Sequence, residues 1–363
     1  MTFVIKHPFG ILLEKMAGEK EKIRSLYDQA FPEKPEWNKW FFEKVYNEDD
    51  GMLLVDNGNP VSSLIMQKYV FSYHGSQIGL SYISGVATAP KLRGRGYMSR
   101  LITDALHMAY ARGDVLSALI PASRALFFFY DRFGFVTAVY ADIERYTSVH
   151  VFESHEAYIP VDADYRILSS LEQLRSATVL HSETDFRHII EDIHNDGGDA
   201  FAVCREDDGS PAAILFAVPT GHEIHVLEKL AIDEDAAETA FAMVRQRYGC
   251  KPLTVWSEPG GRKIRLRARA MLRIINVGEI LACLAKRYPA LDLTMRVHDA
   301  IIPQNNGAYI LHGGKCEKSD YTMRRLSLDI DISTLTSLLF SDRKIGEIFS
   351  VPTARAMLPL MLD

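Results

Sequence analysis

Two short stretches of the chain hold side chains whose types and spacing could do chemistry. The first is residues 85–101, GVATAPKLRGRGYMSRL, in which an apolar, strand-like run stops at Pro90 and Arg93-Gly94-Arg95-Gly96 precedes a helical pattern. A helix N-terminus carries unpaired backbone N–H groups and a partial positive charge, and glycines let the backbone approach a ligand closely. Phosphates bind readily at such places, and arginine adds charge of a kind suited to pyrophosphate. The second stretch is Tyr130-Asp131-Arg132-Phe133-Gly134-Phe135, one helix and one strand downstream. Taken alone, the first is a solvated basic turn, and Tyr130, next to Phe127, Phe128 and Phe129, is a packed aromatic. Their context decides between these readings.

The elements that must position them follow from periodicity. Glu14–Ala30 and PEWNKWFFEKVYNEDD read as helices, and GMLLVDNGNPVSSLIMQKYVF reads as a hairpin turning at Asn57-Gly58. A turn at His74-Gly75 leads to the strand SYISGVAT. From Tyr97 to Arg112, Met98, Leu101, Ile102, Ala105, Leu106 and Ala109 recur at three and four residues, which is one helix face, ended by Gly113. VLSALI reads as a buried strand, and Ser123 as the cap of a short aromatic helix that Gly134 ends.

The middle of the chain repeats this order loosely. LSSLEQLRSATVLH reads as helical, AFAVCREDDGSPAAILFAVP as two strands around an Asp-Gly turn, EIHVLEKLAI as a strand, and AAETAFAMVRQRY as a helix closed by Gly249. The counterpart of the opening loop is Asp233-Glu234-Asp235, which is acidic, has no glycine and would repel an anion. In the last hundred residues the pattern predicts a helix over MLRIINVGEILACLAKRY, then strands at LDLTMRV, GAYILHGG and SLDIDI.

The loop is neither a dinucleotide fingerprint, since GxGxxG fails at Ser99, nor a P-loop, since no Gly-Lys-Ser/Thr follows. It resembles the acetyl-CoA loop of the GNAT acyltransferase superfamily, Arg/Gln-x-x-Gly-x-Gly/Ala, read here as Lys91-Leu92-Arg93-Gly94-Arg95-Gly96 with lysine in first place. Tyr130 before Arg-Phe-Gly-Phe resembles a second GNAT segment. The whole layout is similar to the Eis-type acetyltransferases: a mixed α/β architecture of tandem GNAT folds plus a sterol-carrier-like domain. The expected divisions are 1–150 catalytic, 151–268 degenerate GNAT and 269–363 sterol-carrier-like.

The resemblance implies an acetyl-CoA-dependent N-acetyltransferase in which a neutral amine attacks the thioester directly. Gly85, Val86, Ala87 and Thr88 would hold the pantetheine arm and carbonyl. Arg93, Gly94, Arg95, Gly96 and Tyr97 would hold the pyrophosphate, and Ser123 would touch the cofactor. Tyr130 would be the general acid, and the carboxylate of the last residue, Asp363, the general base. Trp37, Trp40 and Phe41 lie on the helix that borders the acceptor in such folds, where core packing is the alternative. The acceptor is expected to be a small amine, or a lysine-containing substrate, and the protein a trimer or hexamer. The rival expectations are a silent CoA- or lipid-binding protein and a peptide or protein acyltransferase with another acyl donor.

Composition limits the other classes. The 41 Lys and Arg against 47 Asp and Glu give a formal charge of −6, contrary to a general nucleic-acid binder. Four widely spaced cysteines form no metal or CxxC pattern, which predicts free thiols in a reducing cytoplasm and no metal site. MTFVIKHPFGILLEK lacks the apolar stretch of a signal peptide, and no run approaches the roughly 18 apolar residues of a membrane span.

Overall fold

A computed structural model describes residues 5–6, 12–13, 19–258, 266–319, 327–340, 351–352 and 354–362. Two short strands, β1 (Ile5–Lys6) and β2 (Leu12–Leu13), pair antiparallel. The first unit continues with α1 (Glu19–Ala30), α2 (Pro35–Lys44), β3 (Gly51–Asp56), β4 (Asn59–Tyr73) and β5 (Ser76–Thr88). After them come α3 (Tyr97–Arg112), β6 (Leu116–Leu119), α4 (Arg124–Asp131) and β7 (Val136–Tyr146). Asn57 and Gly58, and likewise His74 and Gly75, adopt positive φ, so each pair makes the tight turn its hairpin needs.

The second unit contains β8 (Tyr158–Val161), α5 (Tyr165–Glu172), β9 (Ala177–Leu180), α6 (Glu183–Asn195), β10 (Asp199–Arg205) and β11 (Pro211–Pro219). It closes with β12 (Ile224–Ala231), α7 (Glu234–Tyr248) and β13 (Leu253–Ser257). The third comprises β14 (Arg267–Ile274), α8 (Val277–Arg287), β15 (Leu293–His298), β16 (Gly307–His312), β17 (Lys315–Ser319), β18 (Leu328–Asp331) and α9 (Ile332–Phe340).

Among the described residues, one twelve-stranded sheet runs β3-β4-β5-β6-β14-β7-β13-β12-β11-β10-β8, with β9 added to β4. A separate four-stranded sheet, β17-β16-β15-β18, belongs to the third unit. The architecture is that of mixed sheets flanked by helices.

Three expectations change. MLRIINVGEILACLAKRY is a strand and then a helix: β14 lies between β6 and β7, antiparallel to both, and the side chain of Asn276 caps α8 by accepting from Glu279 N–H. A short apolar run suits a buried strand as well as a buried helix, and burial on both faces of the sheet decides it. LSSLEQLRSATVLH likewise divides, its second half forming β9 against Val70–Tyr73 of the first unit. Helix α6, not anticipated, starts at a reciprocal capping box between Ser182 and Asp185.

Candidate active site

Strand β5 pairs in parallel with β6 only through Leu80, Ser81 and Tyr82, then continues to Thr88 without it. The two strands therefore open like a wedge. On its other side β5 bulges against β4: Ser63 opposes Ala87 and Ile65 opposes Ser84, so Gly85 and Val86 face a single residue. Gly85 has φ +56, and a Cβ there would lie 2.8 Å from the Tyr27 ring, so only glycine fits the bulge. Among the described residues no strand pairs with 85–88 on the β6 side. Backbone of Gly85–Ala87 thus borders the opening, where it can meet a ligand.

The Arg93–Gly96 loop follows. A single 3₁₀ turn at Pro90–Leu92 redirects the chain, and Arg93 Nε donates to Thr88 O at 3.3 Å, which joins the loop to the wedge. Gly94 and Gly96 take left-handed φ of +77 and +83 with nothing within 4 Å of a would-be Cβ, and Arg93 and Arg95 are exposed. Gly96 is the N-cap of α3 and has no side chain to satisfy the first N–H groups. Tyr97 is tied by its hydroxyl to Asp56 Oδ2 at 2.5 Å, a bond that keeps the phenol protonated. Asp56 could not be read from the sequence, because the bond spans 41 positions.

The corresponding helix of the second unit has the opposite arrangement. Asp233 caps α7, accepting from Ala236 N–H at 2.9 Å and from the Tyr158 hydroxyl at 2.5 Å. Burial pushes this carboxyl up, but the Tyr158 and Ala236 hydrogen bonds outweigh it and hold the group below its usual range. α7 thus carries a capping carboxylate of its own, whereas the glycine N-cap of α3 supplies none.

Tyr130 sits on α4, buried in the cluster that also holds Ile83 of β5 and Leu101 and Ile102 of α3. Phe129 and Phe135 pack edge-on to its ring. Burial raises its pKa above the ordinary 10.0, so the hydroxyl keeps its proton, and among the described residues it makes no hydrogen bond. Ser123 occupies the N-cap position of α4, exposed, with its side chain capping nothing.

The C-terminal segment approaches the wedge from the far end of the chain. Met357 bridges to Thr178, with Met357 N–H donating to Ala177 O at 3.0 Å and Val179 N–H to Met357 O at 3.3 Å. Leu360 and Leu362 then enter the cluster that contains Ala87, Ile65, Tyr27, Phe41 and Phe42. Asp363 lies outside the described residues. The early aromatics serve packing. Phe41 is wholly buried, Trp37 Nε1 donates to Asp192 of α6 at 2.7 Å, and Trp40 stacks edge-on to His188, so both tryptophans face the second unit.

Residues 15–138 match the family described as acetyltransferase (GNAT) domain. The chain carries a GNAT acetyltransferase domain. Residues 280–350 match the family described as sterol carrier protein domain, and the GNAT domain makes the protein a transferase. Similar solved structures include a probable N-acyltransferase of Enterococcus faecalis (TM-score 0.77, 14% identity, 99% of both chains). A GCN5-related N-acetyltransferase of Anabaena variabilis is alike at TM-score 0.74 and 17% identity, over 94% of this chain and 93% of that one. Eis1 of Mycobacterium abscessus matches at TM-score 0.72 and 13% identity, over 99% of both chains. At these identities the TM-scores show a shared fold. No curated protein matches by sequence. The loop, wedge and Tyr130 all fall within the matched GNAT domain.

Proposed function

We propose that the GNAT domain transfers acetyl from acetyl-CoA to a primary amine of a small polycationic molecule or a lysine side chain. The observation that carries this reading is the contrast between the two helix starts, one uncapped between glycines and arginines, the other filled by Asp233. The residues present fit the cofactor: Arg93, Arg95 and the N–H groups of 96–98 would hold pyrophosphate, and backbone of Gly85–Thr88 the pantetheine arm. When bound, acetyl-CoA supplies an activated acetyl group on a thiol.

The chain's own groups then do the following. Backbone N–H groups in the wedge polarise the acetyl carbonyl without reorganising. Tyr130, neutral through burial, gives its proton to the departing sulfur. The carboxylate of Asp363 takes a proton from the acceptor amine, a role supported by the burial of Leu360 and Leu362 beside Ala87. The catalytic unit is taken as 1–150, the degenerate one as 151–268 and the sterol-carrier-like unit as 269–363. The four unpaired cysteines support a reducing, cytoplasmic setting, and native mass tests the trimer or hexamer. Among the described residues no helix is long and apolar enough to cross a membrane.

The test is thiol release from acetyl-CoA over a panel of amines, for wild type and for a chain lacking Asp363. Turnover on at least one amine that falls at least tenfold in the truncated chain is expected. No turnover on any amine, together with tight binding of a fluorescent fatty acid, would favour a lipid carrier instead.

A further inference from the structure

Among the described residues Arg273 is the bulkiest wholly buried side chain, and it lies in β14, outside the matched GNAT residues. Its three nitrogens go to three places. Nε donates to Phe133 O at 2.7 Å, Nη1 to Ile274 O at 2.8 Å and Nη2 to Asp299 Oδ1 at 2.7 Å. Asp299 is itself fully engaged, accepting from Ile301 and Ile302 N–H at 2.9 and 3.0 Å and from Asn305 Nδ2 at 2.9 Å. A buried ion pair is weak evidence for stability, since apolar residues of equal volume often serve as well or better. Its geometry is what is specific.

Phe133 lies just past the C-terminal end of α4. Its N–H donates to Tyr130 O at 2.9 Å while its carbonyl receives Arg273 Nε, so two hydrogen bonds connect the Tyr130 backbone to the guanidinium. Gly134 makes the approach possible: it has φ +81, and a Cβ there would stand 3.0 Å from Ile332 Cγ2 and 3.1 Å from Arg273 Nε. Asp299 and Ile332 belong to the sterol carrier region. Lysine, a single point charge, cannot span three separate acceptors as the planar fork does.

We propose that Arg273, held by Asp299, is a positioning residue that sets the placement of Tyr130 and makes the sterol carrier domain part of the catalytic frame. The proposal rests on the reading of Tyr130 as general acid, which the test separates from it. The experiment is a double-mutant cycle of Tyr130→Phe and Arg273→Lys, reading kcat and the KM for acetyl-CoA by thiol release. Displacing a reacting group by about 1 Å costs up to ~100-fold, so Arg273→Lys is expected to lower kcat by about tenfold or more with KM within about twofold. In the Tyr130→Phe background the same change is expected to cost nothing further, because the group it positions is gone.

Equal losses in both backgrounds would mean that Arg273 merely holds the fold, and would overturn the proposal, as would wild-type kcat in Arg273→Lys. A Tyr130→Phe enzyme with wild-type turnover would instead overturn the acid assignment, and the proposal with it. If Arg273→Lys does not fold, Gly134→Ala presses a methyl on the same guanidinium and enters the same cycle.

Discussion

Leu362→Ala should detach the C-terminal segment from the wedge while leaving the rest of the protein folded. Leu358, Leu360 and Leu362 are 1%, 8% and 5% exposed. Burying one leucine is worth about 1.5–3 kcal/mol, so together they contribute roughly 4.5–9 kcal/mol. The two backbone hydrogen bonds at Met357 add about 0.5–1.5 kcal/mol each. Against this, fixing the backbone of residues 358–362 costs about 1–2 kcal/mol per residue, roughly 5–10 kcal/mol in all. The terms nearly cancel, so the segment is held by a margin of a few kcal/mol. Truncating a buried leucine to alanine removes about 2–5 kcal/mol, comparable with that whole margin. Every 1.4 kcal/mol is about tenfold in the ratio of docked to undocked segment, so the change lowers that ratio by a factor of roughly 30 or more.

The assay pairs thiol release with limited proteolysis followed by mass measurement of the C-terminus. We expect kcat to fall at least tenfold, the tail to become cleavable, and the midpoint of thermal unfolding to move by no more than about 2 °C. A cleavable tail with wild-type kcat would refute the role of the terminal carboxylate. A large fall in the unfolding midpoint would refute the separate docking equilibrium, because the tail would then belong to the cooperative core.

Tyr130→Phe keeps the buried ring and loses a hydroxyl without a protein partner, so kcat should fall by about 10²–10⁴-fold with little change in stability. Because burial raises this hydroxyl above its ordinary 10.0, wild-type kcat should show no alkaline fall from it below about pH 10, which a pH–rate profile checks. Among the described residues Gly96→Ala meets no atom within 4 Å but must hold φ +83, at a cost of about 1–2 kcal/mol, and its methyl would stand where the proposed pyrophosphate binds. The KM for acetyl-CoA should rise about tenfold with kcat nearly unchanged. His74 Nδ1 and the Tyr288 hydroxyl share a hydrogen bond at 3.0 Å, and burial, aided by Arg287, lowers the His74 pKa below the ordinary 6.5. A depressed base stabilises the fold above the unfolded pKa and loses that as pH falls through the folded one. Thermal melts should therefore weaken below about pH 6.5, and His74→Asn, which suits the positive φ at this turn, should flatten that dependence.

The catalytic elements were legible because local signals agree there. Helix α3 runs from Tyr97 to Arg112 as its apolar spacing predicts, and both hairpin turns fall at the predicted pairs. What was not legible is non-local. β9 lies about a hundred residues beyond β4 yet pairs with it, and β14 enters between β6 and β7 from more than a hundred residues away. Periodicity holds no record of a partner so distant. Trp37, Trp40 and Phe41 lie against the core and the second unit, partners the sequence does not show, because a helix face shows that it is apolar, not what covers it. Arg273 did leave a signal, a single cation inside the buried run MLRII. A charge in such a place must find buried partners.

The same reasoning explains why a second GNAT-like unit that lacks the loop still matters to the first. Its strands β12 and β13 also pair only briefly, through Ile224–Val226 and Leu253–Val255, and open beyond. In the first unit the opening leaves backbone free for a thioester. In the second, Leu227, Glu228, Trp256 and Ser257 line a small cavity together with Met357, Leu358 and Pro359. Glu228 there is wholly enclosed, its carboxyl pushed up by burial although Arg175 binds it at 2.6 Å. A buried, paired carboxylate and an anion-filled helix start make this wedge a poor cofactor site. Its lining mixes Glu228, Ser257 and Arg269 with the apolar Met357, Leu358 and Pro359. On the proposed reading the first wedge would hold the acetyl donor, while the second already seats Met357, Leu358 and Pro359, the described residues that lead toward the last position.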